Sequence, residues 1–207
     1  MSKKPTASHK ETTKLVKEHA SLLRRWQEIE AEAGRVLQSM ATFASRLAVI
    51  DAAQSFEDSL KPIDLPALAQ KHLAELERLG GCVVGQLEEL DRVVEGLQRV
   101  LEKALEVIRR PRWDPSIAGG RSPMSPCEMV TWAAQLTEMC VLEVWRKRVI
   151  VEAVSGLGCG SAEKIVEVDR VVGCAKDAAG LWPLASSESF VDVDFLDRAL
   201  ATIELIL

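Results

Sequence analysis

The chain has 207 residues, 47% of them apolar and 28% charged, with a formal charge of −5 at pH 7. That apolar content supports a sizeable core and excludes a disordered, weakly hydrophobic chain, and the acidic balance argues against wholesale nucleic-acid binding. No apolar run reaches about 18 residues, so no membrane span is expected, and the opening "MSKKPTASHKETTK" lacks the apolar centre of a signal peptide.

The charge is distributed in blocks. Residues 1–50 carry 9 basic and 5 acidic side chains, residues 51–108 carry 6 and 12, residues 109–148 carry 7 and 4, and residues 149–207 carry 4 and 10. Alternating blocks suit segments that pack against one another or against partners. The five cysteines (Cys82, Cys127, Cys140, Cys159, Cys174) form no C-x-x-C pair and read as small apolar residues in a reducing compartment.

Residues 1–13 read as a disordered tail. From there Leu15, His19, Leu22, Trp26, Ile29, Ala33, Val36, Met40, Phe43, Leu47 and Ile50 step 4,3,4,3, which is the seam of a long amphipathic helix. Val16, Leu23, Leu37 and Ala44 widen the seam, and a wide seam suits a bundle of three or more helices. The segment "DAAQSFEDSLKPIDLP" (51–66) holds two prolines and reads as a reversing loop.

A second seam runs from Ala69 through Leu73, Leu76, Gly80, Val83, Leu87, Leu90, Val94, Leu97, Leu101 and Ala104 to Ile108. Each interior glycine is less favourable than alanine by about 1 kcal/mol, so the Gly80-Gly81 pair predicts a kink or break. At 1.5 Å per residue, helices of about 40 residues span roughly 60 Å, against a radius of gyration near 17 Å for a compact chain of this length. The sequence therefore predicts an elongated antiparallel bundle.

The proline-rich stretch 111–125 reads as a loop. Ser125, Pro126 and Glu128 then form a capping box that starts a third helix, running to about Ser155, where "GLGCG" ends it. Its apolar residues go nearly all round. Met129, Ala133, Leu136 and Cys140 form one stripe; Glu138, Val141, Trp145 and Arg148 lie on another. A helix apolar on every side is central to its bundle or covered by a partner. A shorter helix is expected over 162–179, a loop over 180–191, and a last helix from about Val193 to Ile206. The fold class is all-α: a single helical-bundle domain over 14–207, with two long heptad helices, a central third helix and short C-terminal helices.

No constellation supports catalysis. His9, His19 and His72 are scattered, and no cysteine or second histidine stands near them at metal-ligand spacing. "GLGCGSAEK" lacks the strand and the G-K-[ST] ending of a phosphate loop, and Ser161-x-x-Lys164 lacks its partner motifs. No enzyme activity, cofactor or metal is expected. Ser122-Pro and Ser125-Pro have the form of proline-directed phosphorylation sites, although turn and capping chemistry accounts for Ser125. Trp113, set among Arg109, Arg110 and Arg112, is a candidate partner-binding aromatic, with packing onto the bundle end as the alternative. The triplet Arg146-Lys147-Arg148 is balanced at i,i+4 by Glu143 and Glu152, which weakens a nucleic-acid reading.

Three segments together resemble the cyclin-dependent kinase 2-interacting protein family. They are "LLRRWQEIEAEAGRVL" with Trp26; the third-helix segment with Leu136, Glu138, Met139, Glu143, Lys147 and Arg148; and Trp182 followed by Phe190-Val191 and a closing helix. The likeness runs from about Lys14 to Leu205. The layout is similar too to a sister family, the small ribosome-maturation factor that works with the same machinery. The resemblance implies a nuclear adaptor, with cytoplasm as a second location. Its partners would be a related small helical subunit and AAA ATPases, acting in 60S maturation and replication-linked proteostasis. Cyclin-dependent kinase 2 and checkpoint proteins are further implied partners. It also makes those third-helix residues, Trp26 and Trp182 candidate partner-binding positions. No membrane and no direct nucleic acid are expected among the partners. A homodimeric coiled-coil scaffold and a basic-patch nucleic-acid-binding bundle are the alternative functions.

Overall fold

The computed structural model describes residues 7–54, 64–109, 125–155, 168–183 and 190–206. Trp113, Arg110, Arg112, Ser122, Cys159 and the Ser161-x-x-Lys164 stretch lie outside them. The described residues form five α-helices and no strand: α1 (Ala7–Gln54), α2 (Leu65–Arg109), α3 (Pro126–Ser155), α4 (Val168–Leu181) and α5 (Val193–Ile206).

Helix boundaries follow capping chemistry. Ser125 and Glu128 make the reciprocal box at the start of α3. The Glu128 amide donates to Ser125 Oγ at 3.2 Å, and the Ser125 amide donates to Glu128 Oε2 at 2.6 Å. The hydrogen bond from the Ser125 backbone holds the Glu128 carboxyl below its usual pKa. Asp64 caps α2, accepting the Ala67 amide at 3.0 Å, and Asp192 caps α5, accepting the Phe195 amide at 2.9 Å.

Helix boundaries differ from the sequence expectation at both ends of α1, at the start of α2 and at the end of α4, which takes in Gly180 and Leu181 from the loop expected over 180–191. Helix α1 begins at Ala7, inside the stretch expected to be a tail, and continues to Gln54. Helix α2 takes in Leu65 and Pro66 from the expected loop. Pro66 fits there because the first-turn amides have no intrahelical acceptor, so its missing N–H removes nothing. Helix α2 also runs without a break through Gly80-Gly81. The burial of Leu76, Leu79 and Val83 on either side of the pair outweighs a propensity penalty of about 1 kcal/mol per glycine.

The chain groups into two compact units. Unit 1 draws on Met1–Glu28, Leu90–Val144 and Phe190–Leu207, and unit 2 on Ile29–Glu89 and Trp145–Ser189. In unit 1, Leu15, Val100, Ala104, Val107 and Val130 form a core cluster, with Leu22, Leu101, Leu105 and Ile108 packed on it. Leu22 reaches Gly96, where an added Cβ would stand 3.1 Å from one Leu22 methyl carbon. Glycine at 96 permits that close approach. In unit 2, Met40 meets Gly80, and Phe43 meets the His72 ring edge-on at 5.4 Å. In both units α1 and α2 therefore run antiparallel, because partners further along one helix lie earlier on the other.

Helix α3 is more regular than its sequence suggests. Met129, Ala133, Leu136, Cys140, Glu143, Lys147 and Ile150 step 4,3,4,3 and are all buried, as are the flanking Val130, Thr137, Val144 and Val151 at seven-residue intervals. The stripe goes on past Cys140 through two charged residues. The second stripe (Glu138, Val141, Trp145, Arg148) is exposed.

Candidate functional site

Helix α3 carries two buried charges, Glu143 and Lys147, and burial makes a charge costly unless it is paired. In unit 2, Lys147 is fully buried, and its ammonium stands 2.9 Å from Glu30 Oε2 on α1. The same Nζ donates to the Trp182 carbonyl and lies 4.3 Å from the Trp182 ring centroid, a cation–π distance. Its neighbour Arg146 donates to the carbonyls of Leu181 and, at 3.3 Å, Trp182. Those carbonyls close the C-terminus of α4, where the helix lacks amide donors and its dipole favours cations. Trp182, itself fully buried, is thereby held by its backbone and its ring.

Unit 1 contains further buried polar contacts. Glu143 is fully buried and accepts the Phe190 amide at 3.0 Å, fixing the chain just before α5. His19 and Thr137 are also buried, with His19 Nε2 and Thr137 Oγ1 3.1 Å apart. Thr137 Oγ1 also lies 2.7 Å from the Ala133 carbonyl, the acceptor for its hydroxyl, an arrangement that suits Nε2–H as the donor to Oγ1. Nδ1 has no partner in the interior, and burial pushes the His19 pKa down from 6.5 to about 4.

These positions sort the candidates. Trp26, Leu136, Glu143, Lys147 and Trp182 are at most 1% exposed. They are interior side chains of their units and offer no surface to a second protein in this conformation. Met139 is half-buried; Glu138 and Arg148 are exposed; Trp113 lies outside the described residues. Lys147 has Glu30 as its ion-pair partner, a residue distant in sequence, whereas Glu143, the i,i+4 neighbour expected from sequence, accepts the Phe190 amide. Of the basic triplet, Lys147 is buried, Arg146 is half-buried against the end of α4, and Arg148 is exposed.

Sequence reasoning missed Glu30, yet its signal was present. The flanking column of α1 is Val16, Leu23, Glu30, Leu37 and Ala44, at seven-residue steps, and Glu30 is its single charged member. A lone acid in an apolar column calls for a buried cation, and Lys147 occupies the corresponding apolar stripe of α3.

The outer side of α3 is a surface feature. Trp145 is 69% and Val149 55% exposed in unit 2, and Leu142 is 44% exposed in unit 1. Unit 1 also has an open groove of about 480 Å³ lined by Gln135, Glu138, Met139 and Leu142 of α3 and by Asp192 and Phe195. Phe195 is steadied by an edge-on contact with Trp132 at 5.5 Å. Among the described residues no cluster of histidine, cysteine and carboxylate side chains could hold a metal ion. Among the same residues no helix is long and apolar enough to cross a membrane.

No curated protein and no solved structure matches the chain. The family model described as "Ribosome biogenesis protein C1orf109-like" matches residues 6–172, which include α1, α2, α3 and the start of α4. The chain belongs to the C1orf109-like family of ribosome biogenesis proteins.

Proposed function

We propose that the protein is a non-enzymatic adaptor in maturation of the 60S ribosomal subunit, bringing an AAA ATPase to pre-ribosomal particles together with a related small helical subunit. Family membership supports the ribosomal part of this reading. The adaptor part rests on one observation: Trp145 is 69% exposed in the middle of a regular helix. Tryptophan is enriched at the centres of protein interfaces and is expensive to leave in water. Nuclear location, with cytoplasm as a second site, belongs to the same proposal. Links to cyclin-dependent kinase 2, replication and checkpoint signalling rest on the sequence resemblance alone.

The nucleic-acid alternative loses support in unit 2, because Arg146 and Lys147 are engaged with α4 and Glu30. The test is recovery of the tagged chain from cells. An AAA ATPase and pre-60S particles should accompany it. A protein that purifies as a free monomer, with neither of them in the eluate, refutes the proposal.

A further inference from the structure

The groove of unit 1 is lined by three apolar side chains, Met139, Leu142 and Phe195, by the amide of Gln135, and by two acids, Glu138 on α3 and Asp192 at the start of α5. The bias extends along both helices that form it. Besides Glu138, residues 126–144 of α3 expose Glu128 and contain no lysine or arginine, and residues 192–200 contain the exposed Asp192, Asp194 and Asp197 against the single cation Arg198. A volume of about 480 Å³ falls within the roughly 300–1,000 Å³ typical of ligand-binding clefts. Because the groove is open, it suits the edge of a helix or an extended segment better than an enclosed small molecule.

We propose that this groove docks a basic amphipathic segment of a partner protein, one or two apolar side chains seated on Met139, Leu142 and Phe195 and flanking lysine or arginine residues facing Glu138 and Asp192. Charge complementarity selects this occupant. An acidic or purely apolar segment would leave Glu138 and Asp192 beside like charge or without a counter-charge, whereas flanking cations match both. The apolar anchors give affinity by leaving water, and the rim charges give orientation and speed of encounter. The proposal does not depend on the ribosomal reading.

The probe is a fluorescein-labelled designed helical peptide with leucine at positions i and i+4 and lysine or arginine on both flanks, titrated against the full chain. A second peptide carries glutamate in place of every flanking cation. Fluorescence anisotropy should show saturable binding of the basic peptide and at least tenfold weaker binding of the acidic one. Two exposed rim pairs are each worth about 0.2–1 kcal/mol, so E138Q with D192N should weaken the basic peptide about 2- to 30-fold. Asparagine at 192 retains a capping oxygen for the Phe195 amide, so α5 should stay intact, as checked by circular dichroism. L142D should abolish binding, and E152Q, on an exposed acid of unit 2, should leave it unchanged. The proposal is overturned by absence of saturable binding, by equal affinity for both peptides, or by indifference to L142D. Self-association of the chain that L142D abolishes, without peptide binding, would assign the groove to a second copy and equally overturn it.

Discussion

Three adjacent cations on α3 meet three different fates, and their surroundings decide each one. Lys147 is buried against Glu30, so removing it alone strands a carboxylate in the interior. Breaking such a pair typically costs about 3–5 kcal/mol, while replacing both members with apolar residues of similar size is often neutral or better. Lys147→Met should therefore lower stability by about 3–5 kcal/mol, and adding Glu30→Leu should recover most of the loss. Urea melts of the two single variants and the double variant form the cycle that checks this; additive losses would show that the pair is not coupled. Arg148, exposed, should tolerate alanine within about 0.5 kcal/mol.

His19 gives the pH dependence at the same scale. Its folded-state pKa lies near 4, below the ordinary 6.5, so the unfolded chain binds a proton that the folded chain refuses. The stabilising contribution is complete above about pH 6.5 and is lost as pH falls toward 4, reaching about 2 kcal/mol by pH 5. Wild-type denaturation midpoints should drop between pH 7.5 and 5, and His19→Leu should flatten that drop. An unchanged slope in the variant would mean that other groups carry the titration.

At the scale of elements, periodicity made the helices legible. The 4,3 spacing on α1 and α2 survives as burial or half-burial, save at Leu73 near the start of α2, which is 41% exposed, because a straight helix places those positions on one side. The capping box at Ser125 was equally legible, since its residue types and spacing dictate the contact. Ser125→Ala should cost about 1 kcal/mol, read as a lower thermal midpoint. What sequence concealed was the stripe of α3. Glu143 and Lys147 sit where apolar residues were expected, so a regular helix looked irregular; only contacts with residues distant in sequence, Phe190 and Glu30, show why charge is tolerated there. The glycine pair misled for the opposite reason, since local propensity gave way to burial of neighbouring leucines. Gly81 has nothing within 4 Å of an added Cβ, so Gly81→Ala should raise stability by about 1 kcal/mol. A loss would reveal crowding that the structure does not contain.

At the scale of the molecule, composition and absent motifs pointed to a helical interaction protein, and the family match places the chain among ribosome biogenesis proteins. The candidate residues were less legible than the fold. A tryptophan or a charged side chain on a heptad helix reads alike from sequence whether it faces the core or the solvent. Burial separates Trp26 and Trp182, which are fully enclosed, from Trp145, which is not. The inner charges of α3 then belong to folding, and the exposed Trp145 is where the proposed recognition is tested. The direct test compares Trp145→Glu with Lys147→Met, measuring thermal midpoint and recovery of the AAA ATPase with the tagged chain. Trp145→Glu should melt like the wild type and lose at least tenfold of the ATPase, as a hot spot would, whereas Lys147→Met should melt markedly earlier. Full ATPase recovery by a stably folded Trp145→Glu protein would contradict the account.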